Sequence, residues 1–271
     1  MKAAARVKDA KAALRIERSL RRVQHGEQEM LRLAREAFPA PAPADPLVSV
    51  TIPTYNRADL LFERALPSIL SQTYRNLEVI IVGDHCTDST EERVRGIEDP
   101  RVRFVNLEAR PDYPTRPLDR WRVAGSVPIN RALFECRGDW IAYLDDDDEA
   151  LPTRIERSLE IAASSGAEFI CGQVSLETAP GVWRSTATPT WPTGKRPFRP
   201  LAVPHSAAMY RSYLRFMLYS SSTYQVALPT DRQWITRLAR IGVVPELVSE
   251  VFTTVRLRPG ETSNAVSSGS D

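Results

Sequence analysis

A chain of 271 residues, 42% hydrophobic and 26% charged, has the composition of a globular protein and the length for one large α/β domain or two small ones. Its net charge of +2 is unevenly spread: residues 1–38 hold ten Lys/Arg against five Asp/Glu, leaving a mildly acidic remainder, which excludes a dedicated nucleic-acid binder. No apolar run approaches the ~20 residues that span a bilayer, a secretory leader is not evident, and Cys86, Cys136 and Cys171 are too scattered for a disulfide framework or a zinc site, so a cytoplasmic protein is expected.

In chain order, residues 1–38 lack proline and carry apolar residues at Leu20, Val23, Met30 or Leu31, Ala34 and Phe38. This spacing predicts a basic amphipathic helical arm. Peripheral contact with the inner face of a membrane, self-association, or simple packing on its own domain would each use such an arm. The Pro/Ala segment 39–46 ends it as a short linker, because proline fixes φ and lacks a donor.

From Leu47 strands and helices alternate. Apolar β-branched runs at 47–52, 77–82, 102–106, 140–144 and 168–174 read as strands. Helical spacing falls at 58–72, interrupted by Pro67, and at 89–95, 126–136, 152–165 and 231–241. The pattern predicts an α/β fold with a mostly parallel central sheet and helices on both faces. Residues 178–205 read as a long loop excursion, Gly242 as a helix C-cap, and 259–271 as a flexible tail.

In such sheets ligands bind beyond the carboxyl ends of the strands. There the chain places Pro53-Thr54-Tyr55-Asn56-Arg57, then Asp84 in Gly83-Asp84-His85-Cys86-Thr87-Asp88, then Asp145-Asp146-Asp147-Asp148-Glu149. Five consecutive carboxylates repel one another unless solvent or a cation relieves them. Hard cations such as Mg²⁺ take oxygen ligands and pair with substrate phosphates. Tyr55 offers a ring for stacking, Arg57 a charge for a phosphate, and Asp84 an acceptor for a base or ribose. Thr87 and Asp88 read as turn residues.

The series VSVTIPTYNR, SILSQTY, LEVIIVGDHCTDST, INRALFECRGDWIAYLDDDDEALP and TDRQWITRLARIG resembles the family 2 glycosyltransferases of the GT-A fold, over roughly residues 47–258. The resemblance implies inverting transfer of a sugar from a nucleotide-diphosphate-sugar, foremost a UDP-sugar, to a hydroxyl of a saccharide, lipid-linked or small-molecule acceptor. It implies a nucleotide-binding half at 47–150 and an acceptor half at 151–258. Pro53, Tyr55, Arg57, Asp84, Arg122, Asn130, Asp145 and Asp146 would bind the nucleotide-sugar. Asp147, in the DxD motif Asp145-Asp146-Asp147, would ligate Mn²⁺ or Mg²⁺, and Asp231 would be the general base. An N-cap role for Asp231 is the alternative, and there the helix dipole would favour its ionised, less basic form.

The chain departs from the family pattern in three places. Pro128-Ile129-Asn130 stands where relatives often read Ala-Arg-Asn. The insertion-like segment 108–124 carries Arg110, Arg116, Arg120, Trp121 and Arg122, placed for donor phosphates, for the acceptor, or simply for a surface loop. The stretch Val255-Arg256-Leu257-Arg258 lacks a histidine, leaving an arginine to approach the diphosphate. Pro53–Arg57 contains no glycine, which disfavours a nucleotidyltransferase or a dinucleotide-dependent oxidoreductase. The reading of a different class is a catalytically inactive domain that binds a nucleotide-sugar or a protein partner.

Overall fold

The computed structural model describes residues 22–38, 43–179, 181–185 and 203–256. The expectations for the first part of the arm, for the first half of the 39–46 linker and for the tail lie outside them. Strands β1 (Val48–Thr54), β2 (Leu77–Gly83), β3 (Val102–Asn106) and β4 (Trp140–Tyr143) form a parallel block in the order β3-β2-β1-β4. Beyond β4 the order continues β8 (Ala208–Arg211), β6 (Phe169–Ala179), β9 (Glu246–Arg256) and β5 (Asp148–Ala150). Strand β7 (Val182–Ser185) pairs with the distal part of β6. Strands β8, β7 and β5 run against their neighbours, whereas β6 and β9 pair in parallel. The sheet is thus mostly parallel in direction, with antiparallel insertions on its C-terminal side.

Helix α1 (22–37) precedes β1. The helical stretch after β1 is broken: α2 (Ala58–Leu60), a π turn at Leu61–Ala65, then α3 (Leu66–Leu70) with Pro67 in its first turn. Pro67 has no N–H for the α ladder, and the wider turn just before it takes up the mismatch. The remaining helices are α4 (Thr90–Arg95), α5 (Pro117–Val123), α6 (Ser126–Glu135), α7 (Arg154–Ser165) and α8 (Thr230–Arg240). The fully buried runs of β1 and β2 carry Val48, Val50, Ile52, Val79, Ile80, Ile81 and Val82, as strands covered on both faces require.

Two expectations change. The loop excursion after Val174 begins as a hairpin, since β6 runs on to Ala179 and returns as β7; residues 186–202 are outside the described set. The apolar stripe predicted for the arm docks only in part, through Leu31 and the half-buried Ala34. Only Leu31 is buried, while Val23, Met30, Leu33 and Phe38 are exposed. The docking contacts are largely polar: Glu27 pairs with Arg237, Gln24 donates to the carbonyl of Arg240, and Arg35 pairs with Glu168. Phe38 meets the Tyr213 ring at 5.9 Å. No described helix is long and apolar enough to cross a membrane.

Candidate active site

The strand ends converge on a cleft of roughly 910 Å³. Along the sheet edge Asp84 follows β2, Tyr55 and Arg57 follow β1, and the acidic run follows β4, in the spatial order of the strands. Pro53, Tyr55, Arg57, Asp84, Arg122, Asp145, Asp146, Asp147 and Asp231 all line this cleft. Asn130 does not. Its amide donates to the Tyr219 carbonyl and accepts from the Tyr219 N–H, both at 2.8 Å, so it ties α6 to the chain before α8.

The loops are held by local hydrogen bonds. Asn106, at the end of β3, accepts from the Cys86 N–H at 2.8 Å and donates to the Cys86 carbonyl at 2.9 Å, fixing the turn that follows Asp84. Gly83 makes room for this clasp, because a Cβ there would lie 2.5 Å from Asn106 Oδ1. Asn56, at φ +49°, accepts from Thr87 N–H. Asp88 accepts from the N–H groups of Ala58 and Thr90, a turn role as the sequence suggested.

Asp84 is buried, and its Oδ1 has no hydrogen-bond partner among the described residues. Burial raises its pKa, with nearby Tyr113 and Arg110 opposing. The Arg110 guanidinium lies 3.6 Å from the centroid of the Tyr55 ring and 3.8 Å from Asp84 Oδ2. Tyr55, Asp84 and Arg110 therefore form one group at the β2 side of the cleft.

In the acidic run each carboxylate has a different setting. Asp145 accepts from Tyr143 Oη at 2.5 Å and from Ser206 Oγ at 2.6 Å. Asp146 and Asp147 share Arg57, at 3.1 and 3.0 Å, and the Asp147 carbonyl accepts from Arg64. Asp148 is buried at the start of β5. Burial raises the pKa of Asp145, Asp146 and Asp148, and mutual repulsion adds to it; Asp146 is pushed up to about 7. Among the described residues no three His, Cys, Asp or Glu side chains are grouped to hold a metal ion. The donor set still fits a hard cation that takes one or two carboxylates and completes its shell with phosphate and water. The place without a histidine on β9 is filled by Arg256, which lines the cleft and pairs with Glu149 at 3.4 Å and Glu177 at 3.5 Å.

Asp231 lies in the first turn of α8, but the N-cap is Pro229 and no side chain caps the helix. The N-cap reading therefore fails. Burial raises the Asp231 pKa despite backbone N–H groups that lower it, so desolvation outweighs the helix terminus. Its position is set from behind. Trp234, three residues on, is buried, stacks on Tyr219 at 5.0 Å and donates to the Met217 carbonyl. Asp145 is close enough to repel Asp231.

Sequence reasoning missed Tyr143, Arg154, His205 and Ser206, and gave Arg110 no base-side place. Arg154 is buried and donates to the carbonyls of Tyr143 at 2.8 Å and Ala208 at 3.0 Å, joining β4 to β8. His205 lies 3.8 Å from the Tyr143 ring and bonds Tyr219 Oη at 2.6 Å. Burial drops its pKa to about 3, so it is neutral. None of these has a sequence signal, since each is defined by a neighbour far away in the chain.

Comparison with known proteins accords with this arrangement. The profile of the family described as Glycosyl transferase family 2 matches residues 49–113 and 119–222, more than half of the chain. The succinoglycan biosynthesis protein ExoO of Rhizobium meliloti (strain 1021) is 35% identical over 136 residues, covering 50% of this chain and 35% of that protein. The putative teichuronic acid biosynthesis glycosyltransferase TuaG of Bacillus subtilis (strain 168) is 27% identical over 234 residues, 82% of each chain. The chain thus spans about a third of ExoO but most of TuaG. Among solved structures, S. aureus TarS 1-349 in complex with UDP-GlcNAc aligns with a TM-score of 0.61 at 18% identity, over 80% of this chain and 60% of that one. The mannosyltransferase PcManGT from Pyrobaculum calidifontis, in complex with GDP-Man and Mn²⁺, aligns at 0.58 and 18%, over 91% and 69%. At such identities the structures establish a shared GT-A fold. The sequence match establishes more: the chain belongs to glycosyl transferase family 2.

Proposed function

We propose that this chain is an inverting glycosyltransferase that moves a sugar from a nucleotide-diphosphate-sugar to an acceptor hydroxyl in polysaccharide synthesis. The observation that carries the reading is the single cleft that holds Tyr55 and Asp84, the 145–148 carboxylates and Asp231 together. Asp84 Oδ1, buried and without a partner among the described residues, suits an N–H of a nucleobase resting on Tyr55. Arg110 covers Tyr55 and must swing aside or join the edge of that base. The polarity of this end suits a UDP-sugar, and TarS, of the same fold, binds UDP-GlcNAc.

Arg57 and Arg256 are the cations on the cleft wall nearest the acidic run, and a diphosphate would draw both toward itself. Asp145 and Asp146 would face the ribose and diphosphate, and Asp147, more exposed than Asp146, would reach a Mn²⁺ or Mg²⁺ ion. When bound, that ion would neutralise charge on the departing diphosphate. Asp231 would take the proton of the attacking hydroxyl, and its raised pKa improves it as a base. Direct displacement by that hydroxyl inverts the anomeric centre. Lipid-linked saccharides are acceptors by name in relatives such as the GalNAc(5)-diNAcBac-PP-undecaprenol glucosyltransferase of Campylobacter jejuni, and a saccharide of that kind is the acceptor class expected here.

Calorimetric titration with a panel of UDP- and GDP-sugars, with and without Mn²⁺, tests the reading. Tight binding of one donor that depends on Mn²⁺, followed by transfer or slow hydrolysis, is expected. Cation-dependent binding with no turnover of any kind would favour an inactive nucleotide-sugar-binding domain. Residues 1–38 would then serve docking to an anionic surface or a partner in either case.

A further inference from the structure

Five arginines line the cleft, and four of them have carboxylate partners: Arg57 with Asp146 and Asp147, Arg110 with Asp84, Arg122 with Asp119, and Arg256 with Glu149 and Glu177. Arg120 differs. Its guanidinium donates only to the carbonyls of Pro114 and Thr115, at 3.2 and 3.0 Å, and no described carboxylate pairs with it. Those two bonds fix the side chain against its own loop without neutralising the charge. Arg120 is nevertheless exposed at the cleft wall.

The next residue, Trp121, is half-buried and lines the same cleft, with no ring partner among the described residues. Both sit on α5, which packs on the 3-10 turn Thr223–Val226, a few residues before Asp231. The wall they form therefore adjoins the side of the cleft where an acceptor hydroxyl would meet its base. The family profile passes over residues 114–118, the approach to α5 that supplies the two carbonyls holding Arg120, and resumes at 119, just before Arg120 and Trp121.

We infer that α5 is an acceptor subsite: the Trp121 ring carries the apolar face of an acceptor sugar, and Arg120 binds an anionic group on that acceptor, a phosphate or a carboxylate. The inference rests on the glycosyl-transfer reading, which alone makes the other end of the cleft a donor site. An uncompensated guanidinium recognises either oxyanion through charge-assisted, paired hydrogen bonds. An indole ring beside it offers a flat apolar surface with low conformational entropy. A neutral acceptor would leave Arg120 without a counter-charge, so an acidic or phosphorylated saccharide is preferred over its neutral analogue.

The test is saturation-transfer NMR on the full chain with UDP present, using α-glucose 1-phosphate, methyl glucuronoside and neutral methyl glucoside as probes. At least one anionic probe should bind, with transfer from indole protons to the sugar ring, and the two anionic arms tell phosphate from carboxylate. Arg120→Gln, an exposed change, should weaken that probe by about tenfold or more, leaving the neutral sugar and UDP unaffected. Trp121→Phe should keep part of the binding and Trp121→Ala should lose it. The proposal is overturned if no anionic probe binds, if Arg120→Gln leaves its affinity unchanged, or if UDP displaces the probe, which would assign Arg120 to the donor. Failure of UDP itself to bind, measured in parallel, would instead sink the glycosyl-transfer reading.

Discussion

Ser206 Oγ donates to Oδ2 of Asp145 at 2.6 Å, while the Ser206 carbonyl accepts from Thr253 Oγ1 on β9 at 2.7 Å. With Tyr143 Oη on Oδ1, both Asp145 oxygens receive a hydroxyl proton, which suits the ionised carboxylate. Asp145 is thereby held between β4 and β9, the strand that also presents Arg256. A hydrogen bond to a charged group contributes about 1.5–3 kcal/mol. Ser206→Ala should therefore raise KM for the nucleotide-sugar roughly tenfold or more, by the same conversion, with a smaller change in kcat. Steady-state kinetics decide: an unchanged KM would mean that the clamp does not orient Asp145 for the donor.

Arg57 bridges Asp146 and Asp147, and so occupies the face of the run where a cation would sit. Arg57→Ala should strengthen Mn²⁺ binding to the free protein and weaken binding of the nucleotide-sugar. Asp147→Asn should remove most of the Mn²⁺-dependent part of donor affinity. Titration of Mn²⁺ with and without nucleotide separates these effects. If Asp147→Asn bound donor as tightly as the wild type in Mn²⁺, the assignment of Asp147 would be wrong.

Burial holds Asp146 at about 7, and Asp145 and Asp148 are raised with it. For a carboxyl raised on folding, the stabilising contribution is present at low pH and is lost as pH climbs through the folded value. Buried His205, depressed to about 3, works in the opposite sense below its ordinary value near 6.5. The window from about pH 6.5 to 8 therefore isolates the carboxylates. Tm without divalent cation should fall across it, Asp146→Asn should flatten the fall, and added Mn²⁺ should do the same by offsetting the charge. A cation-free Tm that stayed level or rose over this window would contradict the raised carboxyls.

The strands that position these groups differ in how readable they are. β1, β2 and β4 are buried and show as short runs dominated by Val, Ile and other apolar residues, interrupted only by Ser49, Thr51 and Glu78, so the acids that follow them could be placed at one sheet edge from the sequence alone. β8 has only four residues, Ala208–Arg211, and β5 opens inside the acidic run at Asp148, so neither carries a period. Ser206 reaches Asp145 because β8 inserts between β4 and β6, a crossover that local pattern does not encode. Asn130 illustrates the converse: its motif position suggested the donor, yet its amide is spent on Tyr219. Helix α1 is legible only in part for a related reason, since Leu31 of its stripe is buried but its other contacts are ion pairs and hydrogen bonds to residues distant in the chain.

That docking changes what truncation should do. The described residues of the arm, 22–38, hold none of the cleft side chains, so chemistry should survive its removal. Leu31 is buried, however, and Glu27 and Gln24 hold the C-terminal end of α8 through Arg237 and Arg240. Fully burying one leucine contributes about 1.5–3 kcal/mol. A chain beginning at Pro46 should fold with a lowered Tm and keep its donor affinity. A chain beginning at Arg22 keeps Gln24, Glu27 and Leu31 and should melt above the one beginning at Pro46. Loss of the folded state from the shorter chain would make the helix part of the core.

Asp231 provides the sharpest test of mechanism. A general base that is lost typically costs about 10²–10⁴-fold in rate, whereas a lost N-cap costs about 1 kcal/mol in stability. Asp231 makes no cap, and burial raises its pKa, so the ionised form is costly and basic. Asp231→Asn removes that burial penalty and keeps the shape. It should leave Tm equal or higher and nucleotide-sugar affinity unchanged, while transfer falls by the factor above. In the wild type kcat should rise with pH through the raised Asp231 value, a limb that Asp231→Asn should lack. Near-normal turnover in the variant, or an identical pH profile, would remove Asp231 from the reaction and return the search to the other carboxylates of the cleft.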